Sequence, residues 1–165
     1  VNIDYIDYTQ MRTSPSCQQK LLRRLEEHLG KRGTSPSASD SLNKELCHLA
    51  ERYRKGDGVT VDHAFSFALY RKAADQGDPA AQCNLATYYS KGLGVDKNPH
   101  AAYSLYQMAS NGGSALATYF LGRCYFQGEV VARDINRAIL LYQHAANMGC
   151  PQAQRELSRM KINQK

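Results

Sequence analysis

The feature that most constrains the fold is a repeat with a period of 36 residues. Three copies, 43–78, 79–114 and 115–150, follow one another without a gap and take up most of the 165-residue chain. Units of this length cannot each bury a hydrophobic core, so they fold by stacking into an elongated array. The recurring positions are Tyr53, Tyr89 and Tyr125; Gly56, Gly92 and Gly128; Tyr70, Tyr106 and Tyr142; Ala73, Ala109 and Ala145; Gly77, Gly113 and Gly149.

Each copy has the pattern of two amphipathic helices joined by glycine turns. In the second copy Pro79 suits a first helical turn, Leu85 belongs to an apolar stripe, and Gly92 ends the helix. The chain restarts at Asn98 and Pro99, which fit the cap and the first residue of a second helix. These signals predict an all-α fold, an α-α superhelix (solenoid) of antiparallel helix pairs with flanking helices at both ends.

The repeated segments resemble a known family. The strings LAERYRKGDGV, LATYYSKGLGV and LGRCYFQGEVV, followed by YRKAADQGD, YQMASNGGS and YQHAANMGC, are similar to Sel-one-like repeats, which are relatives of tetratricopeptide repeats. The resemblance implies antiparallel helix pairs in a right-handed superhelix and a role in assembling membrane-associated or signalling complexes. The third copy departs from the pattern, because Val130 stands where the others have Gly58 and Gly94. Valine resists a positive φ, so we expect this loop to follow a different path.

Further elements are predicted on either side of the repeats. Residues 17–30 place four leucines on one face and end at a glycine, which predicts an amphipathic helix that caps the first repeat. A helix that binds a separate partner is the alternative. Residues 31–42 are rich in serine, proline and glycine and predict a flexible linker. Residues 151–165 predict a capping helix after the third repeat.

An acidic and aromatic arm, residues 1–16, precedes these elements. Asp4 and Asp7 alternate there with isoleucine and tyrosine, on a chain whose formal net charge is +6. Such a segment is typical of a recognition peptide or an added strand, and an unstructured tail is the alternative. The arm suggests docking in the chain's own groove or on a neighbouring copy, with self-association through residues 1–29.

Composition and cysteine usage indicate the cellular compartment of the protein. No run of about 18 apolar residues occurs, so the sequence predicts no membrane span. The N-terminus lacks the basic-then-apolar order of a signal peptide, although a start at Val1 leaves room for a removed leader. The five cysteines have an odd count and no paired spacing, which indicates free thiols in a reducing compartment. We therefore expect a cytoplasmic protein.

The sequence contains no recognisable catalytic constellation. No histidine lies at zinc-ligand spacing, and the glycine turns follow helices, whereas phosphate loops follow strands. We therefore expect no cofactor, no metal and no enzyme activity. A thiol or hydrolase enzyme is the alternative, since Cys47 and Cys83 hold equivalent positions in neighbouring repeats. A helical-repeat nucleic-acid binder is a second alternative, but positions 47, 83 and 119 show no base-reading code, so we expect no nucleic-acid partner.

The sequence favours a non-catalytic protein–protein interaction module, an adaptor or scaffold. Helical-pair solenoids bind on the concave surface, which is lined by the first helix of each repeat. An apolar and cationic stripe there, together with a basic rim, suits a protein or an acidic, hydrophobic peptide. The alternatives are packing against the terminal helix for the aromatic residues and a solvated edge for the lysines. The candidate contact residues are Leu116, Tyr119, Arg123 and Phe126 in the stripe, Arg54, Lys55 and Lys91 in the rim, and Thr87 at the position equivalent to Arg123.

Overall fold

The structure, a computed structural model, describes residues 36–162 and the isolated positions Gln19 and Arg23. Within 36–162 the chain forms seven α-helices and no strand, and each helix packs against the next. The predicted all-α solenoid of antiparallel helix pairs is confirmed. The helices are α1 (Pro36–Lys55), α2 (His63–Asp75), α3 (Pro79–Lys91), α4 (Pro99–Asn111), α5 (Ala115–Gln127), α6 (Ile135–Asn147) and α7 (Pro151–Ile162).

Helices α1, α3, α5 and α7 are the first helices of their repeats, and α2, α4 and α6 are the second helices. Polar side chains fix where five of them begin. The Oδ1 atom of Asp62 accepts from the Phe65 N–H at 2.9 Å, and that of Asp78 accepts from the Ala81 N–H at 2.7 Å. Each such cap stabilises its helix by about 1 kcal/mol. Equivalent caps are made by Asn98, Ser114 and Asp134.

Left-handed glycines end the first helices and shape the loops that follow them. Gly92, directly after α3, has φ 71°. Two residues further into the loop Gly94 has φ 63°, and its equivalent in the first repeat, Gly58, has φ 69°. Val130 occupies that loop position in the third repeat, and among the described residues no side-chain-bearing residue has a positive φ. The third loop therefore follows a different path, as the valine predicts.

Small residues and tyrosines build the core between the helix layers. Ala73 and Ala109 are fully buried, and the ring of Tyr142 lies almost entirely out of solvent. Gly122 is buried against that ring: a Cβ added there would lie 2.7 Å from Tyr142 Cε1. Close approach at the small residues leaves space that the recurring tyrosines fill, so the repeat's composition follows from its packing.

The two junctions between neighbouring repeats are packed differently. Between repeats one and two, the hydroxyl of Ser66 donates to the Ala50 carbonyl and shares a 2.6 Å hydrogen bond with the hydroxyl of Tyr88. Between repeats two and three, the ring of Phe120 stacks on Tyr106 with centroids 4.9 Å apart. Each junction thus has its own matched set of side chains on a shared backbone plan.

The second half of the predicted linker 31–42 is helical, which corrects that prediction. Proline is tolerated in a first helical turn, so Pro36 does not stop α1 from beginning there. Leu42 packs against the core cluster that contains Leu46, and this tertiary contact outweighs the serine-rich composition.

The predicted arm 1–16, residues 31–35 and residues 163–165 lie outside the described residues. The same holds for the predicted helix 17–30, apart from Gln19 and Arg23, which are helical and exposed.

Candidate interaction surface

In repeats one and two, one position on the first helix is hydrogen-bonded to a buried tyrosine of the second helix. The hydroxyl of Tyr70 donates to Glu51 Oε2 at 3.0 Å, and the hydroxyls of Tyr106 and Thr87 lie 3.2 Å apart. In the third repeat Arg123 occupies the same position. The sequence makes Thr87 and Arg123 candidate contact residues, and the structure gives Thr87 a hydrogen bond to the second helix of its own repeat. A contact surface built on this position is therefore coupled to the packing beneath it.

The predicted basic rim is partly neutralised by one carboxylate. Glu51 Oε2 accepts from Arg54 Nε at 2.7 Å, and its Oε1 lies 2.9 Å from Lys55 Nζ. These partners, Arg54 first, lower the pKa of Glu51 to about 2, so the carboxylate stays charged. The rim of the first repeat consequently presents less positive charge than its sequence suggests. Lys91, at the equivalent end of α3, is exposed.

Tyr119 lies in the core rather than on the surface of the predicted stripe. Only 8% of it is exposed, and its ring centroid is 5.6 Å from that of Tyr142. It belongs to a cluster that also contains Cys150 and Ala153, the latter on α7. Tyr119 therefore supports the stripe from below, and Leu116 beside it is half-buried.

The exposed part of the stripe is an arginine–aromatic cluster. Phe126 is 38% exposed, and Arg123 is exposed three residues before it, on the same helix face. The guanidinium of Arg133 lies 5.8 Å from the Phe126 ring centroid, and its Nε donates to the Phe126 carbonyl at 3.2 Å. We call Arg123, Phe126 and Arg133 the arginine–aromatic cluster. Sequence reasoning missed Arg133, because it lies in the loop after α5 and belongs to no helical pattern.

Burial disfavours the ionised form of three of the described cysteines. Burial raises the pKa of Cys47 to about 12 and that of Cys83 to about 11, and it also raises the pKa of Cys124. A nucleophilic cysteine needs the opposite shift, toward a stable thiolate. This geometry disfavours the thiol-enzyme alternative for these three residues.

The part of the chain that the structure describes contains neither a candidate membrane span nor a candidate metal cluster. Between residues 36 and 162 no helix combines the length and the apolar character needed to cross a bilayer. Within those residues, no three histidine, cysteine or carboxylate side chains are grouped as metal ligands would be.

The repeat itself decides the family. The family model described as Sel1 repeat matches residues 46–78, 79–114 and 115–150. The chain belongs to the Sel1 repeat family. Sel1 repeats are generally modules for protein–protein interaction. Comparison with curated proteins gives no match.

Solved Sel1 repeat proteins share the fold. A Sel1 repeat protein from Oxalobacter formigenes is 31% identical, with a TM-score of 0.64, covering 85% of this chain and 98% of that one. The protective antigen c5321 of uropathogenic Escherichia coli is 25% identical, with a TM-score of 0.67, and 97% of this chain corresponds to 36% of it. Cysteine rich protein B of Helicobacter pylori is 18% identical, with a TM-score of 0.56, covering 71% of this chain and 90% of that one. At that identity the last likeness concerns the fold alone.

Proposed function

We propose that this Sel1 repeat protein is a non-catalytic adaptor that binds a protein, or an acidic and hydrophobic peptide, on the concave face of its first helices. Arg123 and Phe126 make the central contacts, and the half-buried Leu116 extends the apolar surface beside them. The remaining candidate residues support this site, Tyr119 from the core, Thr87 through Tyr106, and Arg54, Lys55 and Lys91 at the rim.

The observation that carries the proposal is the arginine–aromatic cluster. Arginine and aromatic side chains are the residues most often found at the energetic centres of protein interfaces. Phe126 is exposed although it is apolar, and Arg133 orders it from one side. An exposed aromatic ring with one guanidinium beside it, and a second arginine one helical turn earlier on the same helix face, suits a partner in which apolar and acidic side chains are close together.

Two further observations agree with an adaptor. The described cysteines Cys47, Cys83, Cys124 and Cys150 are unpaired, which fits a reducing compartment such as the cytoplasm. Burial opposes ionisation of the first three, which fits a protein without thiol chemistry.

The test begins with affinity capture by the full chain and identification of the bound protein. Binding of that protein is then measured by calorimetry for Arg123→Glu and Phe126→Ala. We expect each to weaken binding by a factor of ten or more, as hot-spot truncations do. The matched controls change the same residue classes on second helices: Arg71→Glu on α2, and Leu140→Ala on α6, where the leucine is 64% exposed.

Equal affinity for Arg123→Glu and the unmodified chain, with the helical circular dichroism intact, would exclude this site. Capture of nucleic acid in place of protein, with binding that weakens steeply with salt, would favour the nucleic-acid alternative instead.

A further inference from the structure

A second candidate site lies between the second helices of repeats two and three. Here α4 and α6 form the walls of a cavity of about 510 Å³, and α5 forms its floor. Cavities of this size accept one or two side chains or a small ligand. The site is separate from the arginine–aromatic cluster, so an occupant here does not depend on the function proposed above.

The lining of the cavity contains several hydrogen-bond donors. The hydroxyls of Tyr103 and Tyr125 lie 3.0 Å apart, and Gln107 Nε2 donates to the Tyr103 hydroxyl at 3.1 Å. The tyrosine pair uses one of its two hydroxyl protons in this mutual bond, which leaves the other to donate to an occupant. The guanidinium of Arg137 lies 4.5 Å from the centroid of the Tyr125 ring. Guanidinium and phenol groups together suit a carboxylate.

Burial, and then the hydrogen bond to Tyr125, raise the pKa of Tyr103 to about 12. This phenol therefore keeps its proton at neutral pH and can serve as a donor.

The cavity lining also includes apolar side chains, beside the polar side chains of Ser104, Ser110 and Asn111. Met108 on α4 is 54% exposed, and Leu141 on α6 is half-buried beside the cavity. Methionine is flexible and adapts to apolar partners of different shapes. The cavity therefore offers both hydrogen-bond donors and apolar side chains, which together fit an acidic residue next to an aliphatic one.

The junction between repeats one and two shows that the packing of neighbouring repeats does not require the donors Tyr103 and Arg137. At the positions one repeat earlier, Phe67 replaces Tyr103 and Ala101 replaces Arg137. Phe67 packs edge-to-face on Tyr89 with centroids 5.3 Å apart, so the aromatic contact forms without a second hydroxyl. The packing of neighbouring repeats therefore needs neither the hydroxyl of Tyr103 nor the guanidinium of Arg137.

The chain itself contains a segment with matching chemistry. Residues 3–8 read Ile-Asp-Tyr-Ile-Asp-Tyr, so each aspartate has an isoleucine before it and a tyrosine after it. With the predicted helix 17–30 formed, the tether from Tyr8 to Pro36 reaches roughly 60 Å. Packed helices lie about 10 Å apart, so a cavity three to five helices beyond α1 is within this reach.

We propose that residues 3–8 dock in this cavity of the same chain, with an aspartate bound by Arg137 and the tyrosine hydroxyls and an isoleucine against Met108. The tether raises the effective concentration of the segment to the order of 1 mM, which makes a small site sufficient for intramolecular binding. The charges are complementary, since the acidic segment meets a guanidinium.

Photo-cross-linking in the full chain tests the docking. The chain carries p-benzoylphenylalanine in place of Tyr5, and the cross-linked peptides are identified by mass spectrometry. We expect the main adduct on the peptide that contains Met108. Arg137→Ala, which installs the residue found at position 101, should lower its yield at least tenfold, and Tyr103→Phe should lower it several-fold.

A second variant separates loss of docking from an effect of Arg137→Ala on folding. The double substitution Asp4→Asn with Asp7→Asn leaves every repeat residue unchanged and should also lower the yield at least tenfold. Arg71→Ala, an exposed arginine of α2 that lies outside both the cavity and the arginine–aromatic cluster, is the matched control and should leave the yield unchanged.

Adducts on the first helices, or a yield that Arg137→Ala and the aspartate variant leave unchanged, would overturn the proposal. Mixing isotopically labelled and unlabelled chains shows whether each cross-link lies within one chain or joins two chains. Adducts within one chain support the proposal, and adducts between chains contradict the assignment to the same chain.

Discussion

The buried hydrogen bond between Ser66 and Tyr88 provides the sharpest test of how the first junction is stabilised. Ser66 is 0% exposed and Tyr88 is 1% exposed, so water cannot replace a partner that is removed. In Ser66→Ala the Tyr88 hydroxyl stays buried and loses its 2.6 Å partner. An unsatisfied buried hydroxyl costs about 1–3 kcal/mol, so we expect a loss of about 2 kcal/mol in the free energy of unfolding.

Removing the other partner of this hydrogen bond should lower the free energy of unfolding by less. In Tyr88→Phe the ring remains, and the Ser66 hydroxyl still donates to the Ala50 carbonyl at 2.6 Å. Only one hydrogen bond is lost and no donor is stranded, so we expect about 1 kcal/mol. In the double variant both polar groups are absent, and the loss should again be about 1 kcal/mol rather than the sum of the single losses.

The free energies come from urea unfolding of the full chain, followed by far-ultraviolet circular dichroism, for all four members of the cycle. Ser104→Ala is the matched control, because Ser104 is exposed and its hydroxyl bonds only its own helix, at the His100 carbonyl. It should change the free energy by less than about 0.5 kcal/mol. Additive losses in the double variant, or a loss below about 0.5 kcal/mol for Ser66→Ala, would refute this account of the junction.

Three other perturbations test separate features. Because the folded pKa of Glu51 is about 2 against an ordinary 4.5, its stabilising contribution is complete above pH 4.5 and is lost as the pH falls toward 2. Glu51→Gln should therefore reduce the loss in the free energy of unfolding between pH 4.5 and pH 2. An unchanged loss over this range would contradict the ion pairs of Glu51. Gly122→Ala places a Cβ 2.7 Å from Tyr142 and should destabilise the chain by about 1–2 kcal/mol in urea unfolding, despite alanine's better helix propensity. Cys47, with its pKa raised to about 12, should be alkylated at pH 8 about a hundredfold more slowly in the folded chain than in urea, and equal rates would show that the thiol is accessible.

The fold was predictable because its signals are local and recur. Proline and cap residues start the helices, glycines end them, and the 36-residue spacing implies stacking. The start of α1 was not predictable from composition, because Leu42 is held by a tertiary contact that serine-rich flanks conceal.

The candidate interaction surface was harder to predict, because the repeat does not show which helix face meets the next repeat. The sequence left Tyr119 either on the contact surface or packed against the terminal helix, and the structure agrees with the second, since Tyr119 lies beside Tyr142 in a cluster that contains Ala153 of α7. Sequence reasoning missed Arg133, whose contact with Phe126 joins a loop to a helix seven residues earlier. The two hydroxyls of Tyr103 and Tyr125 are 22 positions apart and meet only through the stacking of repeats.

The unequal junctions have a consequence for how the chain can be shortened or rearranged. If the middle repeat, 79–114, were excised, Ser66 would face Cys124 in place of Tyr88, since position 124 is the equivalent of position 88. Its buried hydroxyl would lose a phenol partner, and Phe120 would meet Tyr70 instead of Tyr106. The repeats share one backbone plan but are not interchangeable units, because the side chains at each junction specify their neighbour and so encode the order of the array.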